Sequence, residues 1–185
     1  MPNHVECHLK VSGDQTILRE FVEFARGPGG TSFEDEQKDE PLSAHKFIPV
    51  PDEFWQNEYL CQDCGHRLRN PADHFPKCPE CGGSMKDAYN RGGYDWCIKN
   101  WGTKWGLYDI QVTDPEPDAG YLTYIFQTAW SPPEPVVRAM AKRFPPLTFD
   151  LRYYEGGMGF QGYLELEGGE TVGEWTGEYR GDRGG

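Results

Sequence analysis

Membrane-spanning length, excess positive charge and a recognisable catalytic motif are all missing from this 185-residue chain. No apolar run approaches the ~20 residues that a membrane helix needs. Lysine and arginine number 18 against 30 aspartate and glutamate, a formal charge of −12. That balance argues against general affinity for DNA or RNA, whose phosphates require a basic surface. There is no phosphate loop and no dinucleotide fingerprint. Ser43, His45 and Asp52 lie near one another, but no nucleophile elbow surrounds Ser43, and closeness along the chain makes no triad. Met1 to Glu6 lack the basic and apolar regions of a secretory signal. The expectation is a cytoplasmic protein with no membrane partner and no catalytic residue to nominate.

What the chain does have is aromatics and acids. Phe, Trp and Tyr make up 14% of the residues, enough to build a core although apolar residues total only 37%. Acids gather at Glu34 to Glu36, Asp39 with Glu40, Asp114 to Asp118, and Glu165 to Glu178. They serve solubility, or they form an acidic face that docks on a basic macromolecular surface. Of six cysteines, four form two Cys-x-x-Cys pairs while Cys7 and Cys97 stand alone, a usage that suits a reducing compartment. Cys7 falls on a core strand face, where a free thiol behaves as a small hydrophobe.

Periodicity outlines the fold. Val5, Cys7, Leu9 and Val11 alternate with polar residues, which predicts a strand with one buried face. Ser12 to Asp14 offer capping oxygens, and Ile17, Leu18, Phe21, Val22 and Ala25 then follow at helical spacing until Gly27. Between Gly27 and Gly93 the periodicity disappears. Residues 31–44 read as a polar loop, and the apolar, proline-containing stretch 45–51 as a short edge strand or an extended anchor. Strands are predicted over 107–113 and 121–130, the latter alternating Leu122, Tyr124, Phe126 and Trp130. Ser131 to Glu134 carry a capping box, with Ser131 accepting from the Glu134 amide, ahead of a helix bearing Val136, Val137, Met140 and Phe144. Leu147 to Tyr153 and Phe160 to Leu166 form two further strands around a glycine turn, and the last fifteen or so residues read as frayed. The order β-α-(insertion)-β-β-α-β plus one trailing strand is the ferredoxin-like split βαβ arrangement, an α+β fold with two helices on one face of the sheet. The insertion is placed to cover the other face. The expected organisation is a discontinuous main domain, residues 1–26 and 92–185, with a connecting loop over 27–60 and a zinc ribbon over 61–91.

The ribbon carries the strongest motif. Cys61-Gln62-Asp63-Cys64-Gly65 and Cys78-Pro79-Glu80-Cys81-Gly82 are knuckles separated by thirteen residues. Each short loop lets two thiolates face one ion, and the glycine after each permits the tight turn. Cys61, Cys64, Cys78 and Cys81 satisfy tetrahedral Zn²⁺ and leave no position open for water, so the site is structural in kind. Iron in a rubredoxin-like site would use the same ligands and is the competing reading. His66 and His74 could substitute as ligands, but four cysteines suffice.

The densest aromatic segment runs from Tyr94 to Gly106 and holds Trp96, Trp101 and Trp105 with Lys99 and Lys104. Trp101, Lys104 and Trp105 are the candidate partner-binding residues, because tryptophan dominates interface hot spots. A partly exposed Trp101 beside an exposed Lys104 and a buried Trp105 is the arrangement expected. The same rings could instead brace the sheet or the insertion, or stack a nucleic-acid base.

The chain resembles the YubB-like proteins of phages and conjugative plasmids. The resemblance rests on Met1-Pro2-Asn3 with Leu9-Lys10-Val11-Ser12-Gly13, and on Phe47-Ile48-Pro49-Val50-Pro51. It continues through Asn100-Trp101-Gly102-Thr103-Lys104-Trp105-Gly106, Thr128-Ala129-Trp130-Ser131-Pro132-Pro133 and Tyr153-Tyr154-Glu155-Gly156-Gly157-Met158-Gly159-Phe160. It implies a ferredoxin-like domain in a mobile-element protein of bacterial cytoplasm, and it brings no catalytic residues. The functional expectation is a non-enzymatic zinc-binding interaction protein, acidic enough to inhibit a host nucleic-acid-handling or defence complex through a partner with a basic surface. A nucleic-acid-binding accessory protein is the alternative.

Overall fold

A computed structural model describes residues 3–30, 38–51, 54, 58–69, 77–87, 93–113 and 119–181. Chain order is β1 (His4–Ser12), α1 (Gln15–Ala25), a 3-10 turn (Ala44–Lys46), β2 (Glu58–Cys61), β3 (Arg67–Arg69), β4 (Met85–Asp87) and α2 (Gly93–Trp101). It continues with β5 (Tyr108–Thr113), β6 (Tyr121–Ala129), α3 (Glu134–Arg143), β7 (Thr148–Glu155), β8 (Phe160–Glu167) and β9 (Glu170–Glu178). The long strands form one six-stranded sheet in the order β5-β6-β1-β7-β8-β9, and β3-β2-β4 form a separate three-stranded sheet. Within the first sheet α1 links β1 to β5 across β6, while α3 links β6 to β7 across β1. Every neighbouring pair is antiparallel. That is the ferredoxin-like split βαβ topology, extended at one edge by β8 and β9.

Alternation in the strands makes one sheet face apolar. Val5, Cys7, Leu9 and Val11 of β1 lie in register with Thr128, Phe126, Tyr124 and Leu122 of β6, and all eight are buried. On the other side β1 meets Tyr153, Leu151 and Phe149 of β7. Helix α1 starts at Asp14, whose carboxylate accepts from the Thr16 and Ile17 amides. It buries Leu18, Phe21 and Ala25 against that face. Phe21 is the hub, with ring centroids at 5.3 Å from Phe144, 5.6 Å from Phe149, 5.9 Å from Phe47 and 6.3 Å from Tyr124. Each such pair adds about 0.5–1.5 kcal/mol beyond its area burial.

The segment expected as loop and anchor joins this core. Leu42, Ser43, Ala44, His45 and Val50 are buried, and Phe47 packs on Phe21 and Phe24. The Ser43 hydroxyl donates to the Pro28 carbonyl at 2.5 Å and His45 Nε2 bonds the Gly30 carbonyl at 2.5 Å. Both polar groups are therefore tied to backbone rather than to each other; Asp52 lies outside the described residues. These contacts put the segment on the helical side, not over the second face of the sheet. That second face stays polar: Arg152 pairs with Asp150 at 2.8 Å and with Glu165 at 2.6 Å, and His8 meets Glu6 at 2.9 Å.

Three expectations are corrected. The aromatic segment begins as a helix, α2, which buries Cys97 and Trp101. Ser131 closes no capping box: α3 begins at Glu134 with Pro133 at its cap position, and the Ser131 hydroxyl donates 2.5 Å to the Gly102 carbonyl. The Glu134 carboxylate instead accepts from Tyr153 Oη at 3.0 Å and from Arg138 at 3.3 Å. The C-terminal stretch is β9 rather than frayed chain, pairing with β8 from Glu170 to Glu178. It is tied to α3 where Arg138 meets Glu174 at 2.5 Å. The turn at 114–118 lies outside the described residues.

Candidate functional site

The second sheet is a frame for two turns. In the first, the Gly65 amide donates to the Cys61 carbonyl at 3.1 Å and the Cys61 amide to the His66 carbonyl at 2.8 Å. In the second, the Gly82 amide donates to the Cys78 carbonyl at 2.8 Å and the Cys78 amide to the Gly83 carbonyl at 3.0 Å. The knuckles thus repeat one hydrogen-bond pattern. Gly65 and Gly82 sit at φ 76° and 70°, a left-handed backbone that a Cβ would strain. The Gln62 amide donates 3.1 Å to the Ser84 carbonyl, and Lys77 bridges to Ser84. These bonds hold the turns face to face.

Four sulfurs converge between them. All lie within 4.8 Å of one another, with Cys61–Cys81 at 3.5 Å, Cys64–Cys78 at 3.6 Å and Cys64–Cys81 at 3.4 Å. A tetrahedron with metal–sulfur bonds of about 2.3 Å has edges of roughly 3.8 Å, so the spacing fits one ion. Cys61 and Cys78 are buried while Cys64 and Cys81 face outward. The His66 ring is not in the cluster, its carbonyl serving the first knuckle instead; His74 lies outside the described residues.

Electrostatics argue the same way. The Cys64 amide, donating to the Cys61 sulfur, draws that thiol down to about 7. Cys81 receives the Gly83 amide, which lowers it, but the adjoining Cys64 and Cys61 sulfurs push it up to about 12. The first thiol ionises readily and a later one resists, because negative sulfurs crowd together. A divalent cation removes that conflict. The four cysteines can hold a metal ion, with no ligand position left over.

The aromatic segment is built differently from the expectation. Trp101 is fully buried; its Nε1 donates 2.9 Å to the Ile48 carbonyl and its ring meets His45 edge-on at 4.8 Å. It braces α2 against the 44–50 segment. Trp105 and Lys104 are half-buried, so Trp101 and not Trp105 is the buried tryptophan, and Lys104 is less exposed than expected. The Lys104 ammonium lies 4.6 Å from the Tyr94 ring centroid and 5.7 Å from those of Trp105 and Trp130. It borders a hollow of about 270 Å³ lined by Ile98, Lys104, Ala129, Trp130 and Ser131.

Trp130 has φ 73°, a left-handed conformation that is a genuine outlier for a bulky residue and costs about 1–3 kcal/mol. Its amide is fixed to the Asn3 carbonyl at 3.0 Å, yet its ring remains 42% exposed. Strand β6 ends at Ala129, so Trp130 leaves the buried phase that its alternation implied. Sequence reasoning did not select Tyr94, Ile98 or Trp130 for this site. The one available signal was the spacing of Tyr94, Ile98 and Trp101 along a helical face.

Fold and cluster together define an α+β protein of ferredoxin-like topology with a four-cysteine ribbon between its first helix and its second long strand. Comparison with known proteins sharpens that class. Residues 103–183 match the family model described as "Ferredoxin-like domain in Api92-like protein". The fold is also that of the crystal structure of protein api92 from Yersinia pseudotuberculosis, with a TM-score of 0.57 over 97% of this chain and 98% of that one. Identity to it is 11%, so the likeness is one of fold. No curated protein matches the chain. Among the described residues no helix is long and apolar enough to cross a membrane.

Proposed function

We propose that this chain is a non-enzymatic binding protein of a phage or plasmid, working in bacterial cytoplasm, whose ribbon is ordered by a structural zinc ion. The four-sulfur cluster carries the reading. Soft thiolates at tetrahedral spacing select zinc or iron, and zinc needs no redox partner. A saturated ion supplies no water for hydrolysis, so the metal's contribution is shape. Shape is useful here because the knuckles present Gln62, Asp63, Pro79 and Glu80 to solvent. With Trp101 committed to the scaffold, the ribbon tips are the better contact surface, while Lys104 borders a separate hollow and lies over the Trp105 ring.

The charge of −12 favours a partner with a basic surface. A host nucleic-acid-handling or defence complex has that chemistry, and blocking it is the role proposed. One observation favours the nucleic-acid alternative. The second sheet face carries Tyr163 and the 38%-exposed Trp175, with Arg152 4.7 Å over the Tyr163 ring. Such rings can stack bases, but Asp150 and Glu165 already occupy that arginine.

The test is affinity capture from bacterial lysate with and without nuclease. A basic protein retained after nuclease treatment and lost with Asp63→Lys plus Glu80→Lys supports the reading. Retention of only RNA or DNA, lost with Tyr163→Ala plus Trp175→Ala, would replace it.

A further inference from the structure

We infer that the hollow beside Lys104 is a binding site for a small monocarboxylate carrying a single aromatic ring or branched apolar body. The inference is independent of the ribbon reading. It starts from a charge without a counter-charge: Lys104 meets three aromatic rings, and no carboxylate among the described residues pairs with it. Lys10 and Lys46 also lie over rings with no carboxylate paired to them among the described residues, and Lys104 differs from both in meeting three rings and in bordering a hollow. Ring faces attract an ammonium, but they leave its hydrogens free to donate to an oxygen. The rings thus position a cation at the edge of the cavity with its hydrogen-bonding capacity unspent.

The cavity beyond is apolar. Ile98 is 54% exposed on α2, Ala129 ends β6, and Trp130 lines the cavity beside them. Trp130 is held there by a backbone conformation that L residues avoid, while its ring is left two-fifths exposed. Burial does not offset the strain, and such outliers collect at ligand clamps. A volume of about 270 Å³ lies at the small end of ligand sites and suits one ring or branched side chain rather than a peptide strand.

The charge selects the anion. Among the described residues Lys104 is the one cation lining the cavity, and no arginine lines it. One ammonium matches one carboxylate, whereas a phosphate dianion asks for several donors and meets a strongly acidic molecule.

The experiment is ligand-observed NMR titration of the intact protein with N-acetyl-L-phenylalanine, its carboxamide and uridine monophosphate. Wild type should bind the acid saturably, and the carboxamide and the nucleotide at least tenfold more weakly. Lys104→Met should lose at least tenfold in affinity for the acid at unchanged melting temperature. Trp130→Gly adopts a positive φ without a Cβ, so it should fold at least as stably and still lose binding. Equal affinity for acid and amide, tighter binding of the nucleotide, retention by either variant, or no saturable binding to wild type would each overturn the site. In the last case the rings around Lys104 are a structural cation–π cluster only. None of these outcomes affects capture of a protein partner by the ribbon, so the two readings fail separately.

Discussion

Replacing Trp101 by alanine tests the central packing decision, that an indole chosen from sequence as an interface anchor is a structural brace. The side chain is fully buried, contacts the His45 ring at 4.8 Å and the Trp96 ring at 5.6 Å, and spends its one donor on the Ile48 carbonyl. Truncating a buried tryptophan costs about 3–5 kcal/mol from lost transfer energy and the residual cavity. At 2–4 °C per kcal/mol for a protein of this size, the melting temperature should fall by roughly 6–20 °C. Trp101→Phe keeps an apolar ring but removes the donor, leaving the Ile48 carbonyl unpaired, and should cost about 1–3 kcal/mol. Urea unfolding followed by far-ultraviolet circular dichroism measures both. Hydrogen exchange at the Phe47 and Ile48 amides should accelerate in the alanine variant, because that segment loses its anchor. A cost below ~1 kcal/mol for Trp101→Ala, against the ~3 kcal/mol lower bound for buried tryptophan, would refute the brace and restore the ring as a binding candidate.

Metal removal should act locally. Among the described residues the ribbon's own core is Cys61, Cys78 and Met85 with Tyr59 and Leu68 against it, a small core to order the ribbon unaided. Elemental analysis should give one metal per chain, and Cys64→Ser with Cys81→Ser should abolish it and melt β2 to β4. The six-stranded sheet should unfold at its usual temperature, and global unfolding on chelation would contradict this. Ser131→Ala removes the hydroxyl bond to Gly102 and should cost about 1 kcal/mol. Amide exchange in the first turn of α3 should not change, since Ser131 does not cap it; faster exchange there would reinstate the capping box. Alkaline pH should destabilise the fold. Burial pushes the Cys7 thiol from 9.0 up to about 12, and burial likewise raises Tyr153 from 10.0 to about 12. The folded state keeps protons that the unfolded chain releases, so stability is full below pH 9 and is lost as pH climbs toward 12. The urea midpoint should fall across that window, less steeply in Cys7→Ala, and a flat midpoint would exclude the effect.

Which of these features could be read from the chain depends on how far their causes reach along it. The knuckles are local: five residues determine each turn, and two turns need only meet. Strands β1, β6 and β7 are legible because one face is wholly buried, which forces alternation at Val5 to Val11, Leu122 to Thr128 and Phe149 to Glu155. Strand β9 escapes that logic. It is an edge strand, interrupted by Gly173 and Gly177 and solvated along its length, so no burial pattern marks it. Its place comes from pairing with β8 and from Arg138 on a distant helix.

Helix α2 is hidden for the opposite reason. Tyr94, Trp96, Cys97, Ile98 and Trp101 are all apolar, so several faces compete and no single stripe stands out. Trp130 is the instructive case. Its spacing from Leu122, Tyr124 and Phe126 assigns it to the core, but Thr128 Oγ1 donates to the Ser131 carbonyl at 2.9 Å and the Trp130 amide bonds Asn3. The Asn3 bond continues the β1 register by one step, while φ 73° at Trp130 and the Thr128–Ser131 bond turn the chain there and leave the indole beside Lys104, twenty-six positions away. Periodicity states which face a strand would bury if it continued. Only the contacts at its end decide that it stops, and the hollow exists because it does.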